Sequence, residues 1–118
     1  LSFPLLATIR LLVSQENSCH YCIGMNASLL INMAQWTPAQ VSATKRDPMA
    51  APLPEKEKAM LGFVLTTVAD RKPVTRTEID KLKALDWSES DIFDAVAHGA
   101  RNVAVDIVFN TFQIEKDF

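Results

Sequence analysis

The chain carries only two cysteines, Cys19 and Cys22, within Glu16-Asn17-Ser18-Cys19-His20-Tyr21-Cys22. At this spacing on one turn of helix, two thiols reach each other. Such a dithiol can open and close. A thiolate is the reactive species, and the ordinary cysteine pKa is about 8.5. Cys19 falls at the start of an expected helix, where unpaired N–H groups and the helix dipole favour an anion and lower the thiol pKa. A thiolate that attacks a peroxide becomes a sulfenic acid, and a second thiol within reach condenses with it to a disulfide and water. The same pair can instead reduce a disulfide substrate by exchange.

Two plainer readings stand beside this one. Cys22 shares the apolar stripe of its helix with Met25, Leu29, Leu30 and Met33, as an inert core residue would. A closed zinc site needs four ligands, and only His20 and His98 remain as nitrogen donors, with His20 expected on another side of the helix. The expectation is no metal and no other cofactor, only a redox-active disulfide. A thioredoxin-like domain would need strands around the cysteines, and no alternating strand pattern is present.

The elements that must position the thiols read as helices throughout. Leu5, Leu6, Ile9, Leu12 and Val13 recur at helical spacing, predicting a helix over 4–16 with Arg10 and Ser14 on another side. Asn17-Ser18 is a break, and either residue can cap the next helix, expected over 18–35. Thr37-Pro38 starts a short helix ending near Lys45. Asp47 to Pro54, with Pro48, Pro52 and Pro54, reads as a loop and a candidate linker. Pro54 opens a helix with Glu55 and Glu57 in its first turn and Met60, Leu61, Val64, Leu65 and Val68 as its buried stripe, ending at Asp70 to Pro73. Thr75-Arg76-Thr77-Glu78 and Ser88-Glu89-Ser90-Asp91 fit capping boxes. They open a short helix with Ile79, Leu82 and Leu85, and a last helix over 89–112 with Ile92, Phe93, Val96, Val103, Ile107, Val108 and Phe112. The fold class is all-α, about six helices in one domain over 1–118.

The balance of charges excludes other classes. A formal net charge of −2 leaves no electrostatic footprint for nucleic acid. No apolar run approaches the roughly 20 residues that span a bilayer. The apolar start, Leu1 to Val13, contains Arg10 and no preceding basic region, so it does not fit a signal peptide; the chain also does not begin with Met. Two close cysteines without a wider framework point to a reducing compartment, the cytoplasm. Val103, Val105, Ile107, Val108 and Phe109 put apolar bulk on several faces of one helix, which predicts a homo-oligomer.

Leu11 to Leu30, LLVSQENSCHYCIGMNASLL, resembles the carboxymuconolactone decarboxylase-like superfamily, in its alkylhydroperoxidase D-like branch. Trp36 to Gln40, Leu53 to Ala59, Leu85 to Ile92 and the pair Asn102 and Asp106 follow the same plan more loosely. The resemblance implies an all-helical fold that assembles as trimers or hexamers. It implies a cysteine pair serving thiol-dependent hydroperoxidase or disulfide reductase chemistry, with electrons from a protein or small-thiol reductant. Two departures stand out. Asn26 lies where the branch has a histidine, and Leu6-Ala7-Thr8 where it has a glutamate, so its proton relay does not carry over. Glu16 and His20 are the local substitutes on the catalytic side, with Tyr21 and Asn26 as candidate substrate-binding or supporting residues.

Three functions follow from these residues together with what the resemblance implies. The first is a thiol-dependent oxidoreductase acting on a hydroperoxide or disulfide. The second is a non-redox enzyme on a small lactone or acid, whose mark would be a pocket with acid–base groups away from the cysteines. The third is an oligomeric scaffold with a degenerate site.

Overall fold

A computed structural model of the chain describes residues 1–114. Six α-helices follow one another, with no strand among the described residues: α1 Phe3–Glu16, α2 His20–Asn32, α3 Pro38–Arg46, α4 Glu55–Asp70, α5 Arg76–Lys83 and α6 Glu89–Thr111. The all-helical class and the helix order match the sequence pattern.

Helix α1 is the centre of the bundle and packs against α2, α4 and α6. Leu5, Ala7, Thr8, Ile9, Leu11, Leu12, Val13 and Ser14 are all buried, so α1 has hardly any solvent face. A helix buried all round needs its few polar groups satisfied. Thr8 Oγ1 donates to the Pro4 carbonyl at 2.6 Å, and Ser14 finds side-chain partners on α6. The sequence spacing put Ser14 on the side away from the core; the structure buries it, because α6 supplies acceptor and donor for its hydroxyl.

Helix α6 crosses α1 and α4 closely at Gly99, where an added Cβ would stand 2.9 Å from Val64 Cγ1 and 3.2 Å from Val68 Cγ2. Only a residue without Cβ allows that approach without displacing a neighbour.

Local caps explain most boundaries. Ser88 and Asp91 form a complete capping box at α6. Thr37 and Gln40 form another at α3. Thr75 Oγ1 caps α5 by accepting from the Glu78 N–H, while the Glu78 carboxylate bonds the Thr75 hydroxyl rather than its backbone. The 47–54 segment is not a free linker. It holds a 3-10 turn over Pro48–Ala50, and Ala51 and Leu53 are buried in the common core.

Further expectations change at α2 and on the helix stripes. Helix α2 is shorter than 18–35, and its cap is Cys19, not Asn17 or Ser18. Asn17 instead ends α1, and Ser18 takes a left-handed conformation with φ 55°. Some apolar positions on the helical stripes also lie outside the core: Met33 is 66% exposed, Phe93 72%, Ile107 60% and Phe112 72%. With Val105 and Val108 also exposed, and Ile114 just beyond the helix end, α6 leaves several apolar side chains on its outer side, beside Asp94 and Arg101.

Candidate functional site

The site begins at the junction of α1 and α2. The Ser18 N–H donates to the Gln15 carbonyl and the Cys19 N–H to the Ser14 carbonyl, a Schellman pair that ends α1. The left-handed residue is a serine and not a glycine, which costs on the order of 1–2 kcal/mol. This turn delivers the chain directly into α2, with Cys19 as N-cap and Cys22 one turn further in.

Both cysteines are free thiols and both are buried. Their sulfurs and a carboxylate oxygen of Asp106 all lie within 4.8 Å of one another. Burial pushes the Cys22 thiol up to about 12, reinforced by its hydrogen bond and charge interaction with Cys19 and then by Asp106. Cys22 therefore keeps its proton at neutral pH. Cys19 lines a cavity of about 280 Å³ together with His20, Tyr21, Phe109 and Asn110. Cys22 is not among its lining residues. Cys19 thus borders the cavity and Cys22 does not, although both are almost fully buried.

Asp106 comes from α6 and is 0% exposed. Ser14 Oγ donates to its Oδ1 at 2.8 Å, and Asn17 Nδ2 to its Oδ2 at 3.1 Å. Asn102 Nδ2, one turn earlier, donates to Ser14 Oγ at 2.7 Å and lies 3.4 and 3.3 Å from the two Asp106 oxygens. A buried carboxylate costs several kcal/mol unless such donors surround it. Asn110 Nδ2 donates to the Asn17 carbonyl at 2.8 Å and ties the end of α6 to the same junction.

A second polar group sits beside this one. Arg10 Nε donates to Asn26 Oδ1 at 2.8 Å, and Asn26 Nδ2 donates to the Cys22 carbonyl at 2.9 Å. Asn26 is 1% exposed, and both ends of its amide are engaged. Arg10 also meets His98 Nε2 at 3.1 Å. Burial first, then the charges of Arg10 and Arg101, push the His98 pKa down, so its ring accepts from Arg10 as the neutral form.

The residues singled out from sequence separate into groups. Cys19, Cys22 and Asn26 are brought together in the interior. His20 is exposed beside Cys19 at the 280 Å³ cavity. Tyr21 packs edge-on against Phe109, with ring centroids 5.0 Å apart, and lines the same cavity. Glu16 is exposed and lines a different cavity of about 620 Å³, with Lys45, Arg46, Asp70 and Arg71. For a metal, Cys19, Cys22 and Asp106 offer three ligand atoms, one short of a closed tetrahedral zinc site.

Asp106, Ser14 and Asn17 are residues that the sequence left out of the site. A signal for Asp106 existed. It shares a helical stripe with the buried Ile92, Ala95, Gly99 and Asn102, where a lone acid is unexpected.

No family model matches the chain, and no curated protein matches it. Among solved structures, it is similar to the crystal structure of the alkylhydroperoxidase AhpD core of an uncharacterized peroxidase-related protein from Ralstonia eutropha JMP134. The TM-score is 0.85 at 22% identity, and the match covers 99% of this chain. The chain spans 61% of the length of that structure. The chain therefore has the alkylhydroperoxidase D-like fold that its cysteine segment suggested.

Proposed function

We propose that the chain is a thiol-dependent oxidoreductase that reduces an organic hydroperoxide or a disulfide through Cys19 and Cys22. The observation that supports this is the pair of free, buried sulfurs within 4.8 Å, one of them at a cavity. A peroxidase-related protein shares the fold.

Cys19 is the first nucleophile in this scheme, because it borders the cavity and Cys22 does not. Its thiolate attacks the outer oxygen of the hydroperoxide, the O–O bond breaks, and the alkoxide leaves as an alcohol after taking a proton. His20, at the cavity mouth, is placed to supply that proton. Cys22 then attacks the Cys19 sulfenic acid, giving a disulfide and water. The peroxide has gained two electrons and the dithiol has lost two. A protein dithiol or small thiol returns them by exchange. Tyr21 and Phe109 wall the cavity for the organic part of the substrate. Glu16 takes no step in this scheme, and neither a metal nor a bound cofactor is required. The need for re-reduction suits the cytoplasm. The exposed apolar side of α6 is the contact of a homo-oligomer, a trimer or hexamer by the fold resemblance.

The test is reductant-dependent turnover of cumene hydroperoxide and of a model disulfide. Wild type consumes substrate, while Cys19→Ser and Cys22→Ser lose at least tenfold in rate. Full activity in both variants sinks the reading.

One observation favours the non-redox alternative. The 620 Å³ cavity carries Glu16, Asp70, Lys45, Arg46 and Arg71 away from the cysteines, acid and base groups suited to a small lactone or acid. Lactone turnover that survives both serine substitutions is its signature.

A further inference from the structure

We propose that Asp106 takes the proton of the Cys22 thiol as the intramolecular disulfide closes. This inference rests on the redox reading above and supplies the base that reading lacks.

The geometry carries it. Asp106 is fully buried, and one of its oxygens lies within 4.8 Å of both sulfurs. Its three other partners, Ser14, Asn17 and Asn102, are neutral donors. Among the described residues no cation pairs with it. Of the basic groups on the packed helices, Arg10 of α1 is turned to Asn26 and His98, His98 of α6 to Arg10, and Arg101 of α6 and His20 of α2 are exposed. From the start of α2, Cys19 and Cys22 bring their sulfurs to Asp106. A carboxylate without a counter-cation is costly inside a protein. Held beside a thiol that retains its proton, it is placed to accept that proton.

The step balances in both substrate classes. After a hydroperoxide, Cys22 sulfur bonds to Cys19 sulfur and the S–O bond breaks. The Cys22 proton passes to Asp106 and on to the departing hydroxide, which leaves as water. After a disulfide substrate, the S–S bond of the mixed disulfide on Cys19 breaks, and the same proton ends on the departing thiolate. Asp106 is restored in either case.

A dipyridyl disulfide separates the two steps, because each releases one chromophoric thione. The first release reports attack by Cys19, and the second reports closure by Cys22. In Asp106→Asn the first release stays within about threefold of wild type. The second slows on the order of 100-fold, the usual scale for loss of a general base, and its pH profile changes while that of the first does not. Asp106→Glu restores part of the second rate. A second release within about threefold of wild type in Asp106→Asn, with an unchanged pH profile, overturns the assignment. If Asp106→Asn does not fold, Ser14→Ala decides, since it removes the 2.8 Å hydrogen bond that orients Oδ1. There the second release alone is slowed about threefold or more, and equal slowing of both releases, or of neither, overturns it. If wild type releases only one thione per chain, the pair does not close, and the redox reading falls together with this inference.

Discussion

The Cys22 thiol makes the folded, reduced protein sensitive to alkali in a way that can be isolated. Folded, it holds its proton to about 12, chiefly because burial penalises the thiolate, and then because of Cys19 and Asp106; an unfolded cysteine releases it at about 8.5–9. Between those values the unfolded chain binds fewer protons, so stability falls as pH rises. The contribution is intact below about pH 9 and is lost progressively above it. At about pH 10.5, one and a half units past the unfolded value, the loss is about 2 kcal/mol. Cys22→Ala removes the titrating group, and its cavity cost is the same at each pH. The assay is urea unfolding under reductant at about pH 8 and about pH 10.5, at one protein concentration because assembly also shifts stability. Wild type should lose about 2 kcal/mol more than Cys22→Ala across that interval. A difference below about 0.5 kcal/mol refutes the burial argument.

Two further outcomes follow from the packing. Gly99→Leu places a side chain where even a Cβ stands 2.9 Å from Val64, so it should destabilise by about 1–3 kcal/mol despite the better helix propensity of leucine, read by thermal or urea unfolding. Phe93→Lys with Ile107→Lys charges the exposed side of α6 and should lower the assembly state in sedimentation while leaving helical content unchanged. An unchanged assembly state removes that face as the subunit contact.

What the sequence disclosed was mostly local. Thr37, Thr75 and Ser88 announce helix starts because each cap and its partner lie three residues apart. The cysteine pair is legible for the same reason. The Asn17-Ser18 break was visible too, but its use was not. Either side chain could have capped α2, and whether it did depended on Asn17 being drawn to Asp106, 89 residues away. The Ser14 contact to Asp106 spans 92 residues. Periodicity on α1 sets polar positions against apolar ones and so assigned Ser14 to the outside, because no pattern within one helix reveals that three helices enclose it. The exposed Phe93 and Phe112 show the converse: helical spacing marks apolar stripes but does not say which stripe this chain covers by itself.

Ser14 serves two masters at the end of α1. Its carbonyl holds the backbone of Cys19, and its hydroxyl holds Asp106. Closing the proposed disulfide would bring the two sulfurs, now within 4.8 Å, to about 2.05 Å, and would pull on the first of these while the second stays anchored in α6. If the pair closes as proposed, the last turn of α1 would register its oxidation state. That turn carries Gln15, Glu16 and Asn17, all of which line the 620 Å³ cavity on the other side of the helix. On the proposed function, disulfide formation at Cys19 would be felt at the wall of the other cavity, and amide exchange in residues 14–17 is where the signal would register.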